Sequence, residues 1–190
     1  MANKKTVALT DEQYYEILQA MRTGSSYFRP NERIRAILIT EANLGPRIED
    51  ILKLRLCDFV MDGGRIKISI TEQKTGKGRI FTINPSIYQF LVSYCKKNHI
   101  AEEEIIFPIS ERAVQMYLQK VCWYLDYENI STHSFRKTFA HKIYKHSGND
   151  IVATQIALQH SSVTTTQRYL NIADVKLESV LQNYVFLPPE

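Results

Sequence analysis

Apolar residues recur at helical spacing along most of this chain. Thr10 and Gln13 fit a capping box, which predicts that a first helix begins at Thr10. The buried stripe of this helix consists of Tyr14, Ile17, Leu18 and Met21. A second helix is predicted from Asn31 to Gly45, because glycine best tolerates the left-handed conformation that ends a helix. Pro46 then starts a further helix, since proline is favoured at the first helical position.

An alternating pattern replaces the helical one after Leu56. A turn at Asp62–Gly64 precedes a strand, and a glycine-containing turn at residues 74–78 leads into a return strand at residues 79–83. One face of the first strand consists of Ile66, Ile68 and Ile70. These segments predict a small antiparallel meander within a mainly helical chain.

Residues that cap helix N-termini predict four helices after the meander. They begin at Asn84, Ser110, Thr132 and Asn149 or Asp150. His133 and Arg136 lie three residues apart, so they share one face of the helix that Thr132 caps and Gly148 ends. The neighbouring, buried stripe of this helix consists of Phe135, Phe139 and Ile143. The helix therefore presents an imidazole and a guanidinium together.

The last third of the chain carries a second histidine and a tyrosine. The helix that begins at Asn149 or Asp150 places His160 just past its C-terminal end, and Tyr169 follows in a further turn. The residues that this helix is expected to bury are Ile151, Val152, Ile156 and Leu158. An amphipathic helix is predicted from Asp174 to Tyr184, followed by an extended tail.

Composition places few limits on function. The 190 residues are 44% hydrophobic and 23% charged, which suits one globular domain, and a net charge of +4 favours an anionic partner without identifying it. The cysteines are Cys57, Cys95 and Cys122. Their odd number, wide separation and apolar neighbours predict reduced core thiols in a cytoplasmic protein. Cysteine and histidine spacing argues against a structural zinc site, and no apolar run is long enough to span a membrane.

Arg47 is the first residue with candidate chemistry. It falls in the first turn of the helix predicted from Pro46, where the helix dipole disfavours a cation but where free backbone amides help to hold an anion. This position therefore suggests an anion site. The alternative is a solvated arginine that pairs with Glu49 or Asp50. The basic hairpin tip, with Lys74, poses the same choice between phosphate contact and simple solvation.

The ordered set of these residues resembles the tyrosine recombinases, the phage integrase family. It reads Leu-Gly-Pro-Arg47, a hairpin lysine, His133-Ser-Phe-Arg136, Leu-Gln-His160-Ser-Ser and Thr-Thr-Gln-Arg-Tyr169, with the tyrosine nine residues after the second histidine. The resemblance covers the chain from Leu9 to about Tyr184. It implies an α+β, mainly helical catalytic domain with a small three-stranded antiparallel sheet, the fold of DNA breaking-rejoining enzymes.

The resemblance also implies the chemistry of each site residue. Tyr169 would attack a phosphodiester of double-stranded DNA and form a 3′-phosphotyrosyl intermediate, while Arg47 and Arg136 hold the non-bridging oxygens. The remaining roles fall to Lys74, which would protonate the leaving 5′-oxygen, His133, which would accept the tyrosine proton, and His160, which would bind the phosphate. The arginines perform the work of a metal, so no cofactor is expected.

Three departures from the family pattern stand out. Gln159 replaces the usual glycine before the second histidine, Asp50 replaces the commoner glutamate after the first arginine, and Pro46 replaces an aliphatic residue. Lys77 competes with Lys74 as the acid, although the Gln-Lys-Thr-Gly setting favours Lys74. Tyr184 is a weaker nucleophile candidate, because it lies on an apolar stripe.

The expected organisation is a linker at residues 1–8, the catalytic domain at 9–185 and a tail at 186–190. The N-terminal DNA-clamping domain usual in the family is missing, which indicates an excised catalytic domain or a short member. The full-length protein is expected to form a homotetramer on DNA through exchange of residues 174–189, whereas the isolated domain is expected to be monomeric. Two alternatives stay open: a tyrosine-type topoisomerase and a non-catalytic DNA-binding regulator.

Overall fold

The structure is a computed structural model of the chain, and it describes residues 6–71, 76, 78–170 and 182–183. The chain divides into two compact units, Met1–Phe139 and Ala140–Glu190. The helices are α1 (Asp11–Thr23), α2 (Glu32–Leu44), α3 (Ile48–Ile51), α4 (Pro85–Asn98), α5 (Glu111–Tyr124), α6 (Thr132–His146), α7 (Ile151–Leu158) and α8 (Val163–Leu170). The strands are β1 (Phe59–Asp62), β2 (Arg65–Thr71) and β3 (Gly78–Thr82).

The helix ends of the first unit follow the cap residues of the sequence. The amide of Gln13 donates to the Thr10 hydroxyl and the amide of Thr10 donates to the Gln13 carboxamide, each at 3.1 Å. Asn31 caps α2 by accepting a hydrogen bond from the amide of Ile34 at 3.0 Å. Gly45 ends α2 in the left-handed conformation, with φ at 76°. These caps confirm the predicted beginning of α1 and both ends of α2.

One apolar core fills the first unit. It receives side chains from α1, α2, α4, α5, the sheet and the first turns of α6. Its most deeply buried large side chains include Ile17, Met21, Ile37, Leu38, Ile68, Phe107 and Phe135. The helical stripes that the sequence predicts on α1, α2 and α5 supply most of these contacts. The core therefore fixes α2 and α6, the two helices that carry or flank the candidate site.

The predicted meander is a three-stranded antiparallel sheet in the order β1-β2-β3. Ile68 pairs with Phe59 on one side and with Phe81 on the other, and its side chain is fully buried. Ile70 is buried as well, which confirms the inward face of β2. The connection between β2 and β3 carries Lys74, which lies outside the described residues, as does Lys77.

Two predicted helix starts are wrong by one or two residues. Pro46 and Arg47 precede α3, because the amides of Asp50 and Ile51 both donate to the Arg47 carbonyl, which makes Arg47 the N-cap. Thr132 is the first residue of α6 rather than its cap. The preceding residue, Ser131, accepts a hydrogen bond from the amide of Ser134 at 2.9 Å and takes the capping position.

The second unit begins its first complete helix, α7, at a predicted cap. Asp150 accepts hydrogen bonds from the amides of Val152 and Ala153 at 2.8 and 3.0 Å. The predicted burial of Val152 and Ile156 is wrong, since they are 51% and 70% exposed. The buried positions are Thr154 and Leu158, one helical turn apart on a different face. Because α7 is apolar nearly all round, its sequence does not specify which face is buried.

The cysteine prediction holds for two residues of three. Cys95 and Cys122 are buried free thiols, whereas Cys57 is an exposed free thiol, so its assignment to the core is wrong. Cys57 lies in a short 3-10 helix, Leu56–Asp58, where neither helical nor strand periodicity applies. Among the described residues, no helix is both long and apolar enough to cross a membrane.

Gly45 provides a sharp test of the packing between α2 and α6. A Cβ added at this residue would lie 2.3 Å from the ring of Phe139, and the left-handed backbone itself disfavours any other L-residue. We expect Gly45→Ala to lower the free energy of unfolding by about 2–5 kcal/mol, the sum of overpacking and backbone strain. Urea unfolding measures this loss.

Gly63 is the matched control for Gly45. It also has a positive φ, 56°, but an added Cβ there would meet no atom within 4 Å. Gly63→Ala should therefore cost only the backbone strain of about 1–2 kcal/mol. Equal losses in the two variants would show that the contact with Phe139 contributes nothing.

Candidate active site

Arg136 is the most deeply buried of the candidate residues. It lies in the second turn of α6, it is 3% exposed, and its Nη1 donates a hydrogen bond to the carbonyl of Gly45. That carbonyl belongs to the C-terminal end of α2, where the helix dipole is negative and stabilises a cation. The guanidinium is therefore held at the negative end of the α2 dipole.

Arg47 lies two residues after Gly45, at the N-cap of α3. Its side chain is half-buried, so part of it is open to solvent while its backbone is fixed by the hydrogen bonds that start α3. Asp50, at the third position of α3, is 4% exposed. Its burial does not fit the alternative in which Arg47 is solvated and pairs with Asp50.

His133 lies in the first turn of α6, three residues before Arg136. The residue as a whole is exposed. Even so, the protein around its ring removes water from it, and this desolvation is the largest cause of a pKa below the ordinary histidine value. The positive charge of Arg136 lowers this pKa further, Glu111 opposes the shift, and Arg47 adds to it. A neutral imidazole at pH 7 is the form that can accept a proton. These residues thus form one electrostatic group in the first unit.

The lowered pKa of His133 predicts a pH-dependent stability. As the pH falls below about 6.5, the unfolded chain binds a proton on this residue before the folded chain does. The stability contributed by neutral His133 is therefore present above that pH and is lost as the pH falls through the lower folded-state pKa. Urea unfolding between pH 7.5 and 5 should show a smaller loss for His133→Gln than for the wild type. Equal losses would contradict the prediction.

The second unit brings His160 and Tyr169 together. Their ring centroids are 5.1 Å apart in an edge-to-face arrangement, and the Tyr169 hydroxyl oxygen is buried. Nδ1 of His160 lies 3.0 Å from the hydroxyl of Thr166, one turn before Tyr169 on α8. The carbonyl of His160 accepts a hydrogen bond from the Gln155 side chain at 3.0 Å. The histidine is thus oriented from both of its neighbouring helices.

The backbone conformation of Gln159 explains why glycine is usual at the position before the second histidine. It forms the C-cap of α7 with φ at 53°, a left-handed conformation that a side chain makes unfavourable by about 1–2 kcal/mol. The amide of His160 then donates to the Gln155 carbonyl, which closes the helix end. The backbone geometry needed to present His160 is therefore formed here despite the substitution.

The structure describes five of the six predicted site residues. It groups Arg47, His133 and Arg136 in the first unit, and His160 with Tyr169 in the second, whereas Lys74 lies outside the described residues. Sequence patterns missed one buried ionisable residue near this site, Glu41 on α2, because it falls among apolar neighbours. In the described ranges, no cluster of His, Cys, Asp and Glu has the arrangement needed to hold a metal ion.

These elements define a mainly helical domain with a basic site and a tyrosine on its last described helix. Residues 8–176 match the sequence model of the phage integrase family. Because the match covers most of the chain, the protein belongs to the phage integrase family.

Two curated relatives illustrate the range of similarity. The probable integrase/recombinase YoeC of Bacillus subtilis is 33% identical over 149 residues, which are 75% of this chain and 79% of the relative. The tyrosine recombinase XerC of Caldanaerobacter subterraneus is 29% identical over 164 residues, which are 80% of this chain and 45% of the relative. The chain thus spans less than half of that XerC.

Solved structures share the fold at low sequence identity. The XerH site-specific recombinase bound to its difH substrate superposes with a TM-score of 0.70 at 19% identity, over 97% of this chain and 56% of that one. The catalytic domain of bacteriophage HP1 integrase gives a TM-score of 0.63 at 21% identity, over 94% of this chain and 95% of that one. The predicted fold class is thereby confirmed.

Proposed function

We propose that this chain is the catalytic domain of a site-specific DNA recombinase that cuts and rejoins double-stranded DNA through Tyr169. The observation that carries the proposal is the edge-to-face contact between His160 and Tyr169 of α8, whose ring centroids are 5.1 Å apart, in a chain that also holds the buried Arg136. The catalytic domain comprises residues 9–185. Relatives named as tyrosine recombinases support this assignment.

The proposed reaction exchanges one phosphodiester for another. The phenolic oxygen of Tyr169 forms a bond to phosphorus, and the bond from phosphorus to the 5′-oxygen breaks. His133 accepts the phenolic proton, and Lys74 donates a proton to the leaving 5′-oxygen. The new ester is similar in energy to the old one, so the reverse attack by a 5′-hydroxyl rejoins the strand without ATP.

The arginines supply the largest electrostatic contribution. Negative charge gathers on the non-bridging oxygens in the transition state, and fixed guanidinium donors stabilise it without reorganising. Arg136 suits this role because the end of α2 fixes it while leaving its charge intact. Arg47 suits it because its backbone is fixed and its side chain is partly open to solvent. His160 completes the set as a further phosphate donor.

The assembly belongs to the same proposal. We infer a homotetramer on two DNA sites for the complete protein and a monomer for this domain alone. Structural neighbours that were solved as complexes with DNA support the DNA partner. The segment expected to link protomers, residues 174–189, lies outside the described residues apart from 182–183. Sedimentation of this domain tests the monomer, and sedimentation of the complete protein on DNA tests the homotetramer.

The decisive experiment is a trapping assay on nicked DNA that carries a candidate attachment site. The expected result is a protein–DNA product that survives denaturing electrophoresis and forms in EDTA without ATP. Digestion and mass spectrometry should then place the nucleotide on Tyr169. DNA binding without this product, both in this domain and in a chain extended by a relative's N-terminal domain, would favour the non-catalytic regulator. Relaxation of supercoiled DNA without strand exchange would favour the topoisomerase.

A further inference from the structure

Three exposed aromatic side chains lie together on the surface of the first unit. They are Trp123 and Tyr124, at the C-terminal end of α5, and Tyr27, in the loop between α1 and α2. Their exposed fractions are 69%, 46% and 63%. The ring centroid of Tyr27 is 5.3 Å from that of Trp123 and 6.0 Å from that of Tyr124. These three residues form the aromatic patch, and adjoining exposed apolar groups of this kind mark interaction sites.

The aromatic patch is held in place by a buried neighbour. Phe28, next to Tyr27 in the loop, is buried, and its ring contacts Tyr117 and Tyr124 edge-to-face at centroid distances of 5.7 and 5.6 Å. The Tyr117 hydroxyl also donates a hydrogen bond to the carbonyl of Arg29 at 2.7 Å, which fixes the loop against α5. Because the rings are held before a partner arrives, binding would cost little conformational entropy.

The loop that carries Tyr27 lies at the opposite end of α2 from the candidate active site. The amide of Asn31, the N-cap of α2, donates to the Met21 carbonyl at the end of α1, which places this loop at the N-terminal end of α2. The Gly45 carbonyl that binds Arg136 lies at the C-terminal end. The thirteen residues of α2 separate the two ends by about 20 Å. The aromatic patch is therefore distinct from the catalytic groups of the first unit.

Two cationic residues border the aromatic patch. Lys120 lies on α5 one turn before Trp123, and Arg29 follows Tyr27 by two residues. Both are exposed, and neither forms an ion pair within the part of the chain that the structure describes. The acidic residue closest to Trp123 in the sequence is Asp126, so cations outnumber acids at this border. The border complements an anionic partner.

The size and charge of the aromatic patch favour a short acidic segment over a second copy of this chain. At the observed exposures the three rings offer roughly 300–450 Å² of surface, whereas a standard interface takes about 800 Å² from each partner. A twofold dimer would also place Lys120 and Arg29 near those of the other copy. A nucleic acid strand needs a row of cations along its backbone, and this border has two.

We propose that the aromatic patch is a docking site for an acidic peptide segment of a partner protein. Apolar side chains of that segment cover the three rings, and its carboxylates pair with Lys120 and Arg29. The inference does not rest on the proposed cleavage chemistry. Variants of the aromatic patch should therefore form the covalent protein–DNA product at the wild-type rate.

Trp123 is the single tryptophan of the chain, so its fluorescence reports directly on the aromatic patch. The probes are three short synthetic peptides without tryptophan. The acidic peptide consists of Asp and Glu with Phe or Leu at every third or fourth position, the basic peptide has Lys in place of each acid, and the polar peptide has Ser in place of each apolar residue. We expect the acidic peptide alone to shift the emission of the full chain to shorter wavelength and to protect it from acrylamide.

Charge reversal separates specific docking from unspecific adhesion to apolar surface. The double variant Lys120→Glu with Arg29→Glu should bind the acidic peptide at least about tenfold more weakly and should gain affinity for the basic peptide. Lys97→Glu, which reverses another exposed lysine on α4, should keep the wild-type affinity. Equal binding of the acidic and basic peptides by the wild type would overturn the inference.

Tyr27→Ala removes one ring and keeps the tryptophan reporter. Loss of an aromatic anchor should weaken the acidic peptide by about 5–30-fold, and the melting temperature should stay near the wild-type value because this side chain is exposed. Met61→Ala, which removes a similarly exposed apolar side chain on β1, should not change the affinity. Unchanged affinity in Tyr27→Ala would contradict the proposed site. If Tyr27→Ala does not fold, the charge-reversal variant decides.

Other occupants of the aromatic patch give different results in the same assay. An emission shift that depends on protein concentration, with dimers in sedimentation, would identify a second copy and overturn the inference. Stronger protection of Trp123 by single-stranded oligothymidine than by the acidic peptide would overturn it in favour of nucleic acid. Absence of any response to the acidic peptide would also count against it, whatever the outcome of the trapping assay.

Discussion

Tyr169→Phe should abolish the covalent protein–DNA product while leaving the affinity for DNA unchanged. The substitution removes only the hydroxyl oxygen that would attack phosphorus, and the ring keeps its edge-to-face contact with His160. In the proposed mechanism this hydroxyl is the nucleophile, so the loss should be complete. Denaturing electrophoresis after incubation with nicked DNA measures the product, and fluorescence anisotropy measures the affinity.

Tyr184→Phe is the matched control for Tyr169→Phe. Tyr184 is the alternative nucleophile that the sequence suggests, fifteen residues further along the chain. Its variant should form the covalent product at the wild-type rate. A product that persists in Tyr169→Phe and disappears in Tyr184→Phe would identify Tyr184 as the nucleophile. A product that forms in both variants would mean that neither tyrosine is the nucleophile.

Arg136→Lys should lower the cleavage rate by about 10²–10³-fold, the usual loss when one fixed donor to a transition-state oxygen is removed. The charge is conserved, but lysine lacks the planar fork of donors that binds the Gly45 carbonyl and that, in the proposed mechanism, would bind a phosphate oxygen as well. The buried position also disfavours the more strongly hydrated ammonium group. Single-turnover cleavage at saturating DNA measures the effect.

Arg22→Lys controls for the exchange of arginine for lysine. Arg22 is exposed in the last turn of α1, where either cation interacts favourably with the helix dipole. Its variant should cleave at the wild-type rate. Equal rates in Arg136→Lys and the wild type would mean that Arg136 contributes charge alone, or that it supports the fold without contacting the phosphate.

Local signals in the sequence predict much of this fold. The capping box at Thr10, the glycine that ends α2 and the aspartate that caps α7 are satisfied by residues within four positions of each cap. The alternating isoleucines of β2 likewise specify which face is buried. Such features depend on near neighbours, so the sequence alone contains the information needed to place them.

Features that depend on distant contacts were not predictable in the same way. Glu41 is fully buried, and nothing in the sequence of α2 marks it for burial. The exposure of Val152 and Ile156 depends on what packs against α7, and its apolar sequence fits burial on several faces. Arg47 was predicted in the first turn of its helix but is the N-cap, because the hydrogen bonds of this four-residue helix determine where it starts. The roles of the site residues stay predictions.

The hydrogen bond between Arg136 and Gly45 has a consequence for how the protein is made. Its two partners are separated by 91 positions in the chain, so the guanidinium is fixed only after both α2 and α6 have left the ribosome and packed. Closing such a long loop comes at an entropic cost that only the assembled core offsets. A chain in which α2 and α6 have not yet packed together consequently lacks a fixed guanidinium at this position.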